Sequence, residues 1–402
     1  MSVNLLQRTF VSLKHKNYRL FFTGQSISII GTWIHQTALS WLIYESTGSK
    51  FLLGLIAALS SLPMLLFSVF GGVIADRFPK KQVVISTQLI SMILAVVLAV
   101  IVSLNIYKIW HIVVITMLLG TTFAIDLPVR QAFIIEIAGK QDLMNAIALN
   151  SSMVNFARVV GPAIAGIVMF KFGISWCFIL NAISFLAVLT ALFNIKLLPA
   201  PINKRTESIT QYTLSGFTYI RQNKLILNLL ILMALMGIFG WSYAILVPAL
   251  AKDIFLKGEQ GYAMLVSANG VGALLGALFV AYMGESPHKK TIMNCGIYFF
   301  SIMLFLLSLS KIYWLTLILI LGAGMGLIVY FSCSTALIQS HIEDSVRGRV
   351  MGIWTLIFGG TAPLGCLFVG IISENFGVPA ALFLSAIICP VFTFVISRLT
   401  QE

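Results

Sequence analysis

The stretch Gly71-Gly72-Val73-Ile74-Ala75-Asp76-Arg77-Phe78-Pro79-Lys80-Lys81 decides how this chain folds, because it is a short charged connection between two long apolar runs, 51–75 and 83–104. Each run reaches the roughly 20 apolar residues that a helix needs to cross the hydrocarbon core of a bilayer. The three cations Arg77, Lys80 and Lys81 hold such a connection on the cytoplasmic side. Within it, Gly71 and Gly72 permit a neighbouring helix to come close, and Asp76 can accept from backbone N–H groups at a helix N-terminus. Gly72, Asp76 and Arg77 are therefore candidate gate residues.

Outward from this hairpin the pattern repeats. Apolar runs at about 20–44, 51–75, 83–104, 110–132, 143–170 and 174–196 form a first set of six. A second set lies at about 223–250, 261–283, 290–309, 312–338, 348–372 and 378–398. Of the 402 residues 59% are apolar and 10% charged, whereas soluble domains average roughly 45–50% and about 25%. The reading is an all-α membrane protein with twelve transmembrane helices in two pseudo-symmetric six-helix bundles, 1–196 and 223–402. The longest polar stretch, 197–222, with Pro199, Pro201, Lys204, Arg205 and Glu207, is the cytoplasmic linker.

The net charge of +13 is spread over short connections instead of an exposed stripe, so it argues for orientation and against a nucleic-acid partner. The even-numbered connections and both ends hold 19 of the 26 Lys and Arg; the odd-numbered connections hold Lys50, Lys108, Lys171, Lys252, Lys257 and Lys311. This bias puts both termini in the cytoplasm. No small-residue cleavage site follows the basic N-terminus, which is expected to be retained, with Leu5, Leu6, Phe10 and Leu13 forming an interfacial amphipathic turn among membrane lipids. The five cysteines sit in apolar runs without metal or disulfide spacing and read as small core residues.

The halves echo each other. Phe172-Gly173 matches Phe376-Gly377, Pro162 matches Pro363, and Lys80-Lys81 matches Lys289-Lys290. Duplication of a six-helix unit follows, and it places a solute site between the halves.

Arg158 is the most informative single residue. About 15 residues into its run, at roughly 1.5 Å per residue, it falls near the bilayer midplane, where a permanent cation must face a cavity or a partner. Ser151, Asn155, Arg158 and Pro162 share one helical face. Either Arg158 binds an anionic group of the cargo, or it locks helices in a buried ion pair. Asp126 and Arg130, one turn apart, are a proton-sensitive switch or a static pair at the gate. In the first run Gln25, Ser28, Thr32 and Gln36 form a polar stripe with His35 one turn from Thr32; lipid would penalise it, so it should face the interior. His35 is either a titrating cavity residue or a hydrogen-bonded interior one. In the second half Trp241, Tyr243, Asn269, Tyr330 and Ser334 offer aromatic faces with few polar handles, a lining for an amphiphilic organic molecule. Trp110, Trp176 and Trp314 near run ends suit the aromatic belt. Gly270, Gly272 and Gly276 read as packing contacts, not as a nucleotide loop, since no strand precedes them.

The segment 71–81 resembles the G-x-x-x-D-R-x-x-[RK]-[RK] loop signature of the major facilitator superfamily. Asp126-Leu-Pro-Val-Arg130-Gln-Ala-Phe, Asn145-Ala-Ile-Ala-Leu-Asn150-Ser, Asn155-Phe-Ala-Arg158-Val-Val-Gly161-Pro162 and Arg347-Gly-Arg349-Val-Met-Gly-Ile-Trp354 are similar to the branch of that superfamily that includes the enterobactin exporter and related multidrug efflux carriers. The resemblance implies a rocker-switch carrier in the bacterial inner membrane, with Arg347 and Arg349 joining the gate. Gly161-Pro162-Ala-Ile-Ala-Gly166 resembles the G-P-x-x-G-G element of antiporters, with Ala165 in place of a glycine; the other reading is a packing kink. The family's antiporters often carry an arginine deeper in the fourth run, and none lies between His111 and Asp126.

The expected function is secondary active export of a small amphiphilic molecule, siderophore or drug-like, coupled to protons or another ion, by a monomer without cofactor or metal. An importer of the same fold is the first alternative and a non-transporting receptor or scaffold the second, which the polar stripe and the Arg158 face argue against. No nucleophile, base and orienting group recur at enzymatic spacing, and no Walker-type loop supports an ATP-driven pump.

Overall fold

The structure, a computed structural model, describes residues 10–139, 141–196, 209–284, 286–343 and 346–399. The expected turn residues Leu5 and Leu6, and the linker residues Pro199, Pro201, Lys204, Arg205 and Glu207, lie outside the described residues. A short 3-10 turn, Val11–Lys14, precedes α1 (Lys16–Thr47), α2 (Lys50–Arg77), α3 (Lys80–Ser103), α4 (Ile109–Ala138), α5 (Leu143–Phe172) and α6 (Ser175–Asn194). Then follow α7 (Ile209–Gln222), α8 (Lys224–Ile254), α9 (Gly258–Met283), α10 (Lys289–Leu309) and α11 (Tyr313–Ser340). The chain ends in α12 (Arg347–Gly360), α13 (Ala362–Phe376) and α14 (Val378–Leu399). No strand occurs among the described residues.

Among the described residues eleven crossings, with α12 and α13 counted as one, are long and apolar enough to span a membrane. The twelfth is α1, which has 32 residues but carries the polar stripe that lowers its hydropathy. The helices are turned inside out relative to soluble ones. On α3, Leu89, Ile90, Ile93, Val97 and Val100 are exposed while Thr87, Gln88, Ala95 and Ala99 are buried. A continuous apolar outer face of this kind belongs in lipid. Trp110, Trp176 and Trp314, all exposed near the starts of α4, α6 and α11, fit the belt expected of them.

The chain forms two compact units, Met1–Leu39 with Leu66–Arg205, and Ser40–Leu65 with Thr206–Glu402. In the first, small residues set the helix spacing. A Cβ at Gly24 would lie 2.7 Å from the Ala187 carbonyl of α6, and one at Gly71 would lie 2.7 Å from the Ala124 carbonyl of α4. Lys81 donates to the Ile195 carbonyl just past the C-terminus of α6, at 2.8 Å, where a cation complements the helix dipole. The N-terminal turn is tied to the start of α5: Ser12 donates to the Asp142 carbonyl (2.9 Å) and through its backbone N–H to Asn145 (3.0 Å), and Lys14 and His15 both reach the Asp142 carboxylate at 2.7 Å. These donors hold the Asp142 carboxyl below the usual carboxylate range. Phe10 is exposed and Leu13 half-buried.

In the second unit, α9 and α11 approach through glycines. A Cβ at Gly276 would stand 2.6 Å from the Met325 carbonyl, and one at Gly272 would overlap the Leu321 carbonyl. Helix α8 is irregular, passing through a π turn at Met236–Gly240, a 3-10 segment at Trp241–Leu246 and a second π turn at Leu250–Ile254. Its first π turn lies against the break between α12 and α13, where Gly237 has no room for a Cβ beside Thr361.

The sequence echoes recur as geometry. Gly173 ends α5 at φ 88°, ψ 164°, and Gly377 ends α13 at φ 86°, ψ 160°, the left-handed caps that favour glycine. Lys80 and Lys289 open α3 and α10. The prolines differ: Pro162 lies inside the unbroken α5, whereas Pro363 sits in the first turn of α13, after the break at Thr361. Four cysteines are buried as expected, but Cys295 is exposed on the outer face of α10 and is not a core residue.

Candidate functional site

In the first unit the Arg158 guanidinium stands over the ring of Trp33, 5.8 Å from its centroid. Two features of the chain create this pairing. Gly161 lets α5 pass so close to α1 that a Cβ there would overlap that of Trp33, and one turn earlier on the same face Arg158 meets the indole. An arginine over an indole is a favourable cation–π arrangement worth about 0.5–2 kcal/mol, according to how far it is desolvated. Asn155 is half-buried and donates to the Ser151 carbonyl at 3.0 Å. Pro162 is buried within α5.

The polar stripe of α1 divides. Gln25, Ser28 and His35 are buried, Thr32 is half-buried and donates to the Ser28 carbonyl (3.0 Å), and Gln36 is exposed. His35, 4% exposed, is enclosed by α6, with Asn181 3.2 Å from Nδ1 and Phe178 edge-on at 5.0 Å. It belongs to the contact between α1 and α6, a setting that favours the interior reading of this residue.

Asp126 is buried and accepts from Thr87 (2.7 Å) and Gln88 (3.1 Å) on α3, with Arg130 Nε at 3.3 Å. Its partners are thus on α3 and its own helix, while Arg77 is exposed. Asp76 lies in the last turn of α2, so the signature segment is partly helical; its side chain lies outside the described residues. Of the two glycines only Gly71 makes a close approach, and Gly72 has open space where a Cβ would stand. Arg347 is exposed at the start of α12, and Arg349 is half-buried there against Gly216 of α7.

The second unit holds an aromatic cluster. Trp241 meets Phe331 and Phe358 edge-on at 5.6 Å each, Phe331 meets Phe358 at 5.3 Å, and Trp354 stacks on Phe358 at 5.4 Å with an interplanar angle of 5°. Except for the buried Phe331, these rings are half-buried. Asn269 donates to the Tyr243 hydroxyl, and both are buried. Tyr330, also fully buried, packs edge-on against Phe331 at 5.1 Å. Phe331, Trp354, Phe358 and Trp33 are the residues that sequence spacing did not single out; each needs a contact between helices to be found. An apolar cavity of about 210 Å³, lined by Leu225, Leu229, Met293, Asn294, Leu337 and His341, is smaller than the roughly 300–1,000 Å³ of an organic ligand site.

Residues 7–401 match the family of transmembrane secretion effectors. The chain is 25% identical over 368 residues to the staphyloferrin A transporter of Staphylococcus aureus, covering 90% of each chain. It is 24% identical to macrolide efflux protein A of Streptococcus pyogenes, over 94% of this chain and 97% of that one. It is also 24% identical to the enterobactin exporter EntS of Shigella boydii, over 85% and 81%. The crystal structure of the nucleoside transporter NupG superimposes with a TM-score of 0.77 at 12% identity, over 96% of this chain and 99% of that one; at that identity the likeness is one of fold.

Proposed function

We propose, from the premise that this chain belongs to the transmembrane secretion effector family of the major facilitator superfamily, that it exports a small amphiphilic organic anion of siderophore type across the bacterial inner membrane. Membership makes it a multi-pass membrane transporter and not an enzyme. The observation that carries the reading of the cargo is Arg158, a permanent cation midway along α5 beside the Trp33 indole. A cation kept within a membrane helix is expensive and marks a path for an ionised solute. The half-buried rings of Trp241, Trp354 and Phe358 supply stacking faces for the apolar part of such a molecule.

Outward transport is supported by the names of two relatives, an efflux protein and an exporter, and by the tight Gly161-Pro162 passage of α5 against α1. Cytoplasmic termini are supported by the distribution of Lys and Arg, 19 against 6 among the connections. Transport is coupled to an ion gradient, of protons or of another ion.

The experiment is uptake into inside-out membrane vesicles of a carboxylate siderophore, a catecholate siderophore and a macrolide, each with and without an imposed proton gradient. Gradient-dependent accumulation of a siderophore supports the reading. Accumulation only in right-side-out cells would make the chain an importer, and accumulation of the macrolide alone would remove the anionic cargo.

A further inference from the structure

The apolar cavity of about 210 Å³ in the second unit sits where four helix ends meet, the starts of α8 and α10 and the ends of α11 and α14. Its walls are leucines, Met293 and Ile396, and its polar groups are Lys290, Asn294, Asn228 and His341. Lys290 is half-buried, and among the described residues no carboxylate or carbonyl pairs with its ammonium. Asn294 Oδ1 is buried without a hydrogen-bond partner. His341 turns Nδ1 back to the Leu337 carbonyl of its own helix, 2.9 Å away.

The first unit has the same place filled. Lys80-Lys81 opens α3 as Lys289-Lys290 opens α10, but both of its cations are engaged: Lys80 pairs with Glu136 at 3.7 Å, and Lys81 donates to the Ile195 carbonyl at 2.8 Å. The inward face at the start of α1 carries Tyr18, Phe21, Phe22 and Gln25, and the start of α8 repeats that helical spacing with Leu225, Asn228, Leu229 and Leu232. Tyr18 and Phe21 are each 1% exposed and pack with Val84 of α3, Ile137 of α4 and Leu192 of α6 in one apolar core. Two aromatic rings of the first half thus correspond to a leucine and an asparagine in the second, and the missing ring volume is the cavity. Packed interiors leave few voids larger than a water molecule, so a void with an unpaired cation in its wall calls for an occupant.

We propose that this cavity binds an amphiphile with a single alkyl chain and an anionic head, the chain filling the apolar space and the head pairing with Lys290. The lining selects this class. A nucleotide or other hydrophilic anion has no apolar part to bury against leucines, an alkane or alcohol leaves the ammonium unpaired, and a molecule of drug size needs more room. Asn294 completes the recognition of the head, because its amide, turned about its last bond, donates an N–H to the same anion. Fatty carboxylates and lysophospholipid phosphates share this chemistry. The site is distinct from Arg158, which belongs to the other unit. Its occupant ties the ends of α8, α10, α11 and α14 together, as Tyr18 and Phe21 tie the corresponding ends in the first half.

The test uses full-length protein in nanodiscs of zwitterionic phosphatidylcholine, with hexanoate, octanoate, octyl phosphate and octanol as probes and native mass spectrometry to count the molecules bound. Octanoate is expected to bind once per protein and roughly fifteenfold more tightly than hexanoate, the worth of two buried methylenes. Lys290→Gln should weaken octanoate about tenfold, the scale of one charge-assisted hydrogen bond, and leave octanol unchanged. Asn228→Phe, which supplies the ring that the first half has, should abolish the saturable site and unfold at the same or a higher temperature; Leu225→Tyr fills the same gap from the preceding turn should the first variant not fold. Tighter binding of octyl phosphate would identify the occupant as a lysophospholipid, and tighter binding of octanoate as a fatty acid. Uptake that never saturates at one molecule, that octanol matches, or that survives both filling variants would overturn the site. The readout needs no cargo, so its failure leaves the transport assignment standing, and failure of siderophore export leaves this site standing.

Discussion

Gly161 and Trp33 touch so closely that the space between α5 and α1 holds no further carbon. Gly161→Ala must push apart two backbones, because the overlapped atom is the Trp33 Cβ and not the tip of a flexible chain. Overpacking of this kind costs about 1–3 kcal/mol, and here it also carries the indole away from Arg158. Gly72→Ala is the internal comparison. A Cβ there meets nothing, so the exchange should be neutral or stabilising by roughly 0.5–1 kcal/mol, the helix preference for alanine. Thermal unfolding in detergent is expected to order the three proteins G72A, wild type, G161A.

On the proposed reading Arg158 meets the charge of the cargo, so its loss should show in which cargo is moved. Arg158→Gln is expected to reduce kcat/KM for an anionic siderophore at least about tenfold, on the scale of a desolvated cation–π or ionic contact, while leaving a neutral macrolide nearly unaffected. Arg158→Lys keeps the charge but loses the planar stack and should fall between. Equal losses for both solutes would make the residue structural.

Asp126 holds three groups in place, the Thr87 hydroxyl, the Gln88 amide and Arg130 of its own helix. Asp126→Asn leaves Arg130 partly buried with its counter-charge gone, a change that costs about 3 kcal/mol in buried pairs. The double variant Asp126→Asn, Arg130→Gln should recover much of that, because no charge is left stranded. A double-mutant cycle on thermal stability measures the coupling.

Asp142 gives a pH signature outside the membrane. Its carboxyl is held below the ordinary range by Lys14 and His15, so its contribution is complete above the unfolded-state value and disappears as pH falls through the lowered folded value. Asp142→Asn should thus differ from wild type at neutral pH in protease release of the N-terminal turn and converge with it in acid. A difference that persists at low pH would mean that the carboxylate is not what ties the turn down.

The twelve crossings and the duplicated caps were legible because each is written in consecutive residues: twenty apolar positions for a span, Phe-Gly for the matched ends at Gly173 and Gly377. Asp126 and Arg130 were legible for the same reason, one helical turn apart. What sequence spacing missed joins distant helices. Nothing in the run around Arg158 points to Trp33. Tyr330 and Phe331 are neighbours, yet only Phe331 enters the ring of aromatics with Trp241 and Phe358, since a helix turns adjacent side chains about 100° apart. Sequence leaves His35 a cavity residue or an interior one, and α6 encloses it because Asn181 and Phe178 offer it partners. Around Trp241 the π and 3-10 turns of α8 shift the side-chain register, which a 3.6-residue period does not anticipate.

The irregular middle of α8 and the broken crossing of α12 and α13 meet at Gly237 and Thr361, and this gives the duplicated halves unlike backbones. Where α5 continues through its proline as one helix, its counterpart is interrupted at Thr361 before Pro363, and the interruption rests on α8, whose own hydrogen-bond ladder is out of step. Bending there strains few regular bonds. Substitutions that add a side chain at Gly237 or Gly365 therefore press on Thr361, or on Ser242 and the Ile238 carbonyl, and act on the irregular turns of α8 itself.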